Sequence, residues 1–110
     1  MDLFRALGGL DGQALSLRGL GMVCAGMGCH PEAIDRFQES LTISAESGNS
    51  YRQAEALLSF GDALQATARY QEAQAAWQEA LAICEALQIP MAAKIRRRLT
   101  VQAPQTRAVP

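Results

Sequence analysis

The sequence predicts an all-α fold in which antiparallel helical hairpins stack side by side and a single helix ends the array. First, the 110-residue chain repeats itself after forty residues, with nine identities between residues 14–43 and 54–83. Second, apolar residues recur at the three- and four-residue spacing of helices in both copies. Third, only short turns interrupt this spacing, so consecutive helices must be antiparallel neighbours. The identical pairs are Ala14/Ala54, Leu17/Leu57, Gly21/Gly61, Glu32/Glu72, Ala33/Ala73, Gln38/Gln78, Glu39/Glu79, Leu41/Leu81 and Ile43/Ile83.

The helices follow from the apolar spacing and from the breaks between its runs. Pro31 suits the first turn of a helix, where its missing N–H is harmless. Residues 28–30 and 68–70 are short turns within a hairpin, and Gly48 with Asn49 separates one hairpin from the next. The predicted helices cover residues 1–7, 13–26, 31–47, 50–67, 71–87 and 90–100.

One domain over residues 1–100 accounts for these elements. It divides into a partial repeat (1–12), two full repeats (13–49 and 50–89) and a terminator helix (90–100). Arg97 stands forty residues after Leu57, which makes the last helix a polar end rather than a third copy. Because Leu3 aligns with Ile43, we expect the chain to begin inside a repeat. Residues 101–110 contain two prolines and are expected to be a disordered tail.

Each copy carries the spacing of a known repeat. The motifs are Leu17-x-x-Leu20-Gly21-x-x-Cys24 with Ala33-x-x-x-Phe37, and Leu57-x-x-Phe60-Gly61-x-x-Leu64 with Ala73-x-x-x-Trp77. This pattern resembles the tetratricopeptide repeat, although the period is forty residues and the family's closing proline is replaced by Ala45 and Glu85. The resemblance implies a short right-handed solenoid that binds proteins. Copies of this length are similar to those in large bacterial regulators, including transcriptional activators, and in signalling scaffolds.

The repeated residues predict how the helices pack. Gly21 and Gly61 lie on the buried stripe of each first helix, where the absence of a side chain lets the partner helix approach. Phe37 and Trp77 are expected to fill the space between hairpins. The structural signature comprises Leu17, Leu20, Gly21, Ala33, Phe37, Leu57, Phe60, Gly61, Ala73 and Trp77.

The small net charge of −1 conceals an uneven distribution. All eleven acidic residues and five basic ones lie within residues 1–90, which leaves that part at −6, and the other five basic residues give residues 91–110 a charge of +5. An acidic body disfavours direct nucleic-acid binding. The basic segment Lys94–Arg98 is interpreted as a solvated helix face that can lie against the acidic body, and contact with nucleic acid or an anionic surface is the alternative.

The sequence offers no constellation for catalysis, for a cofactor or for a metal. His30 is the single histidine, and it falls in a tight turn without a paired nucleophile. Cys24 and Cys29 lack further ligands at a metal-binding spacing, and Cys84 is expected to be a small core or interface residue. Three cysteines cannot all pair within one chain, and no apolar run spans a membrane, so a reducing cytoplasm is the expected location.

The predicted function is protein–protein interaction without enzymatic activity. In such arrays the first helices of the hairpins line a concave face, which can take a peptide or a partner helix. The alternative is self-association, with a homodimer formed through exposed ends or the glycine-rich first repeat. The candidate partner-binding residues, about 100° from the packed stripe, are Leu15, Arg18, Met22, Glu55, Leu58, Asp62 and Gln65.

Overall fold

The all-α prediction is confirmed by a computed structural model that describes the backbone of residues 2–107 and the side chains of residues 9–101. Five helices follow one another along the described chain: α1 (Asp2–Gly26), α2 (His30–Ser47), α3 (Ser50–Ala66), α4 (Tyr70–Leu87) and α5 (Met91–Arg107). Helices α1 and α2 form one hairpin and α3 and α4 the next, while α2 packs on α3 and α5 packs on α4. The chain is therefore a row of helices in which each contacts its sequence neighbours.

The first four helices all end in the same way. Beyond each helix a backbone N–H reaches back to a carbonyl five residues earlier: Cys29 to Cys24, Asn49 to Ser44, Arg69 to Leu64 and Ile89 to Cys84, at 2.8–3.2 Å. The residue before each donor has a positive φ, namely Gly28, Gly48, Ala68 and Gln88. This arrangement is the Schellman motif, which satisfies the carbonyls left free at a helix end. The motif recurs every twenty residues, so each helix with its turn is one structural unit.

Helix starts are fixed by local side chains as well. The side chain of Asn49 accepts a hydrogen bond from the backbone N–H of Arg52 at 3.0 Å, which caps the first turn of α3. Pro31 lies in the first turn of α2, as the sequence predicts. These caps place α3 directly after α2 and turn it back antiparallel.

Two helix boundaries differ from the prediction. Residues 1–7 and 13–26 were expected to be separate helices, and α1 does consist of two helical segments, but they meet at a kink at Gly9 (φ 55°, ψ −134°) and are not separated by residues 8–12. Glycine adopts this backbone conformation at little cost, so a one-residue kink replaces a longer break. At the other end, α5 continues past residue 100 to Arg107, where a disordered tail was expected. An interior proline lacks the backbone N–H and usually kinks or breaks a helix, yet α5 continues past Pro104. Residues 108–110 lie outside the described residues.

The core forms where the two hairpins meet. Trp77, Leu57, Leu64 and Ile95 are its largest fully buried apolar side chains. A Cβ atom on Gly61 would lie 2.5 Å from Cδ1 of Trp77, and one on Gly21 would lie 2.6 Å from Cε1 of Phe37. The sequence predicted a close helix approach at each glycine and a ring between hairpins, whereas in both copies the ring packs on the glycine of its own hairpin. Cys84 is a fully buried core residue, as expected.

The prediction of a buried Leu20 is wrong. Its side chain is 48% exposed, whereas its counterpart Phe60 packs against the core. The difference arises from position in the row, because α3 lies between two hairpins and α1 has a neighbour on one side only within the described chain. Of the remaining signature residues, Gly21, Ala33, Phe37, Leu57, Gly61, Ala73 and Trp77 are buried, and Leu17 and Phe60 are half-buried.

No helix among the described residues is both long and apolar enough to cross a membrane.

Candidate partner-binding cleft

An apolar cleft of about 220 Å³ opens between the first helices of the two hairpins. Met22 and Ala25 of α1 form one wall, and Ala63 and Ala66 of α3 form the other. The Phe37 ring lies at its base, packed against Gly21. Because both walls carry alanines, side chains do not fill the space between α1 and α3. His30, Ser59 and Asp62 complete the lining and are its polar members.

Arg18 connects the two walls beside the cleft. Its guanidinium Nε donates a hydrogen bond to the Ser59 hydroxyl at 3.1 Å, forty-one residues further along the chain. The positions forty residues later are Leu58, which is buried in the core, and Leu99, which is partly buried against it. This pair of positions is thus polar in the first copy and apolar in the second.

Helix α5 supplies a counterion to the cleft. Arg98 forms a bidentate pair with Asp62, with its Nε at 2.6 Å from one carboxylate oxygen and its Nη2 at 2.9 Å from the other. Arg96 pairs with Glu85 of α4 at 2.9 Å. The basic segment therefore lies against the acidic body, as the favoured interpretation of the sequence expected.

A second, smaller cleft lies between α3 and α5. Its volume is about 200 Å³, and it is lined by Gln65, Trp77, Arg97, Arg98 and Val101. Gln65 and Trp77 are the forty-residue equivalents of Ala25 and Phe37, so the two clefts are successive sections of one surface. Both sections are mainly apolar, and they differ in their polar members: Arg97 and Arg98 line the second, and His30, Ser59 and Asp62 line the first.

The structure brings together only part of the predicted binding set. Met22 and Asp62 line the first cleft, Gln65 lines the second, and Arg18 lies at the edge of the first. Glu55 is held by Arg52 at 2.7 Å. Leu15 is exposed but does not line either cleft, and Leu58 is buried, so it offers no surface to a partner.

The sequence reasoning missed Ser59, Ala66, Ala63 and His30 as lining residues. Ser59 lies three residues before Asp62 and Ala66 four residues after it, so both could have been detected from a stripe centred on Asp62 rather than on Leu58. His30 was interpreted as a turn residue. It begins α2 at the end of the cleft, and its Nδ1 is buried without a hydrogen-bond partner among the described residues.

Among the described residues, no group of three or more His, Cys, Asp or Glu side chains is arranged to hold a metal ion. Burial raises the pKa of the Cys84 thiol. Partial burial, followed by the nearby carboxylate of Glu32, raises the pKa of Cys29. A raised pKa lowers the fraction of each thiol that is ionised at neutral pH, and the fully buried Cys84 is the less reactive of the two.

These features define a helical-hairpin repeat protein with a grooved face. The chain belongs to the tetratricopeptide repeat family, whose model matches residues 12–86. Modules of this family are generally protein-interaction domains and are typically non-catalytic. No curated protein and no solved structure matches the chain.

Proposed function

We propose that the first cleft binds a peptide or an amphipathic helix from a partner protein and takes one of its apolar side chains. The observation that carries this proposal is the mainly apolar lining by Met22, Ala25, Phe37, Ala63 and Ala66. A cleft of about 220 Å³ suits a single large side chain better than a whole small-molecule ligand, since pockets for the latter are usually ~300–1,000 Å³.

The charged residues around the cleft determine whether an acidic or a basic ligand group fits there. The carboxylate of Asp62 is already paired with Arg98, so a basic ligand group there would have to displace that side chain. Arg18 lies at the edge of the cleft and is positioned to pair with an acidic group. We therefore favour a ligand with an apolar anchor and an acidic residue near it. Glu55 and Asp62, which were candidate partner-binding residues, contribute less to ligand binding in this proposal.

An alanine-to-leucine exchange tests this site. Ala66 is exposed on α3, and Ala66→Leu would place a larger side chain in the cleft. Capture of partner proteins from the source cell should then fall at least tenfold. Ala82→Leu adds the same atoms to an exposed position of α4 outside both clefts and should leave capture unchanged. Equal capture by the two variants and the original chain would overturn the proposal.

The wider context that we propose is an interaction module of a larger cytoplasmic regulatory or scaffold protein, such as a bacterial transcriptional regulator. This rests on the likeness of the forty-residue copies to those of such regulators and on the interaction role of the family. In that setting the module recruits a protein, and other parts of the regulator contact nucleic acid.

Self-association is the second candidate, and the exposed stripe of α1 favours it. Leu20 and Val23 of α1, and Met27 just beyond its end, are all exposed and lie three and four residues apart. The equivalent positions are Phe60 and Ala63 of α3 and Thr67 just beyond it; Ala63 is buried and Phe60 packs on the core. A second copy of the chain that covers this stripe would complete the packing that α3 already has.

Sedimentation equilibrium over a wide concentration range tests the stripe. The original chain should show a mass that rises with concentration, and Leu20→Ser combined with Val23→Ser should remain monomeric. Leu87→Ser, at an exposed leucine of α4, should associate like the original chain. A monomer at every concentration would contradict self-association without bearing on the cleft.

A further inference from the structure

The turn between α1 and α2 holds two cysteines at the two ends of a Schellman motif. The backbone N–H of Cys29 donates to the carbonyl of Cys24 at 2.8 Å, and the N–H of Gly28 donates to the carbonyl of Ala25 at 3.0 Å. Gly28 between them has a φ of 82°. In this motif the side chains of the two end residues commonly contact each other. The motif therefore places a cysteine at each of two positions whose side chains commonly meet.

The other three turns show that this pairing is specific to the first one. The equivalent end residues are Ser44 with Asn49, Leu64 with Arg69, and Cys84 with Ile89. The first turn alone among these four places a thiol at both ends. The electrostatics agree, because the pKa of Cys29 is raised by partial burial, by Glu32 and, to a smaller extent, by Cys24.

We propose that Cys24 and Cys29 form a reversible intramolecular disulfide by exchange with a low-molecular-weight disulfide. The thiolate of one cysteine attacks a sulfur of the small disulfide, which releases one small thiol and leaves a mixed disulfide on the protein. The second cysteine then loses its proton and attacks the protein-bound sulfur, which closes the bridge and releases the second small thiol. The protein loses two hydrogens, and the small disulfide is reduced to two thiols.

The bridge joins the end of α1 to the start of α2 beside the first cleft. Ala25 and His30, which line the cleft, each adjoin one of the two cysteines in sequence. A covalent link across the turn restricts the freedom of these positions relative to each other. Oxidation would thus stiffen one end of the cleft, whereas the fully buried Cys84 takes no part.

The experiment uses the full chain equilibrated with oxidised and reduced glutathione, followed by alkylation of free thiols, intact mass and peptide mapping. We expect a species that has lost two hydrogens, with Cys24 linked to Cys29 and Cys84 alkylated. Cys84→Ser should form the same bridge. Cys24→Ser should instead retain glutathione on Cys29, because no second thiol can displace it.

Thermal unfolding then distinguishes a bridge that fits the folded turn from one that forms only in unfolded chains. The oxidised protein should melt above the reduced protein, by roughly 5 to 10 °C for a short loop in a small domain. Three results would overturn the proposal: a mixed disulfide that never closes, a bridge that includes Cys84, or an oxidised protein that melts below the reduced one.

Discussion

Gly61 and Trp77 form the tightest contact in the second hairpin. A Cβ on Gly61 would lie 2.5 Å from Cδ1 of a ring that is fully buried. Gly61→Ala is therefore expected to lower the free energy of unfolding by about 1 to 3 kcal/mol, because an enclosed ring cannot move aside. In a chain that already carries Trp77→Ala, the same change should be neutral or stabilising by up to about 1 kcal/mol, since alanine favours helix over glycine. Urea unfolding of the four proteins measures both effects.

Gly19 provides a control, because the effect of Gly19→Ala on the free energy of unfolding should not depend on Trp77. It lies in α1, and no heavy atom would come within 4 Å of an added Cβ. Gly19→Ala should stabilise the protein by up to about 1 kcal/mol whether or not Trp77 is present. Trp77→Ala alone should cost about 3 to 5 kcal/mol. An equal penalty for Gly61→Ala with and without Trp77 would show that backbone strain, rather than the ring, excludes a side chain at Gly61.

The sequence predicted individual residues well where both copies agree. The recurrence of a glycine and a large ring after forty residues predicted a close helix approach and a buried ring in each copy, but it did not predict that the ring packs on the glycine of its own hairpin. The exposure of Leu20 was not predicted, because it depends on whether another hairpin covers α1. Leu58 was misplaced for a similar reason: it is equivalent to Arg18, but it belongs to the apolar core.

Two residues at the helix ends adopt a backbone conformation that is unfavourable for a residue with a Cβ atom. Ala68 and Gln88 have φ angles of 65° and 57°, in the left-handed region where a Cβ costs roughly 1 to 2 kcal/mol. Ala68→Gly should therefore raise the free energy of unfolding by about 0.5 to 1 kcal/mol, although glycine adds some freedom to the unfolded chain. Gly48→Ala, at the equivalent position of α2, should lower it. Thermal unfolding that ranks Ala68→Gly below the original chain would contradict this account of the caps.

Most of the internal helices could be predicted from the sequence. Helices α2, α3 and α4 each begin and end within one residue of their predicted bounds, because Pro31, Gly48 and Asn49 mark turns clearly. The twenty-residue recurrence of the cap was not visible, since Ala68 and Gln88 are not residues that usually end helices. Helix α5 extends beyond its predicted end because Pro104 was expected to lie in a disordered tail, whereas the helix continues through this residue.

Helix α5 is held to the rest of the protein mainly by apolar contact. Ile95 is fully buried, whereas Arg98 and Asp62 are each about one-third exposed and solvent weakens their attraction. Ile95→Ala should cost about 2 to 4 kcal/mol. Arg98→Ala should cost less than about 1 kcal/mol, even though it removes a bidentate pair. Urea unfolding distinguishes the two, and a larger loss for Arg98→Ala would make the ion pair the main attachment of α5.

At the scale of the whole molecule, the two ends of the array have different chemistry. Leu20 and Val23 on the outer side of α1, and Met27 just beyond its end, are exposed to solvent, whereas α5 carries Lys94 and arginines at 96, 97 and 98. A repeat array needs a polar surface at an end that faces water. The arginine-rich helix meets this need, and the exposed stripe of α1 does not. The open cleft lies next to α1, so the candidate interaction surfaces concentrate in the first hairpin.

This asymmetry predicts a gradient of local stability along the row. Residues 10–26 of α1 include Gly19, Gly21 and Gly26 and leave one side of the helix uncovered, whereas α3 is packed between neighbours on both sides. Helices with few buried apolar contacts open at a lower free energy. Amide hydrogens in α1 should therefore exchange roughly tenfold or more faster than those in α3, as measured by NMR under native conditions. Equal exchange rates in α1, α3 and α4 would show instead that the array opens as one unit. The exposed side of α1 would then not lower the free energy of local opening of that helix.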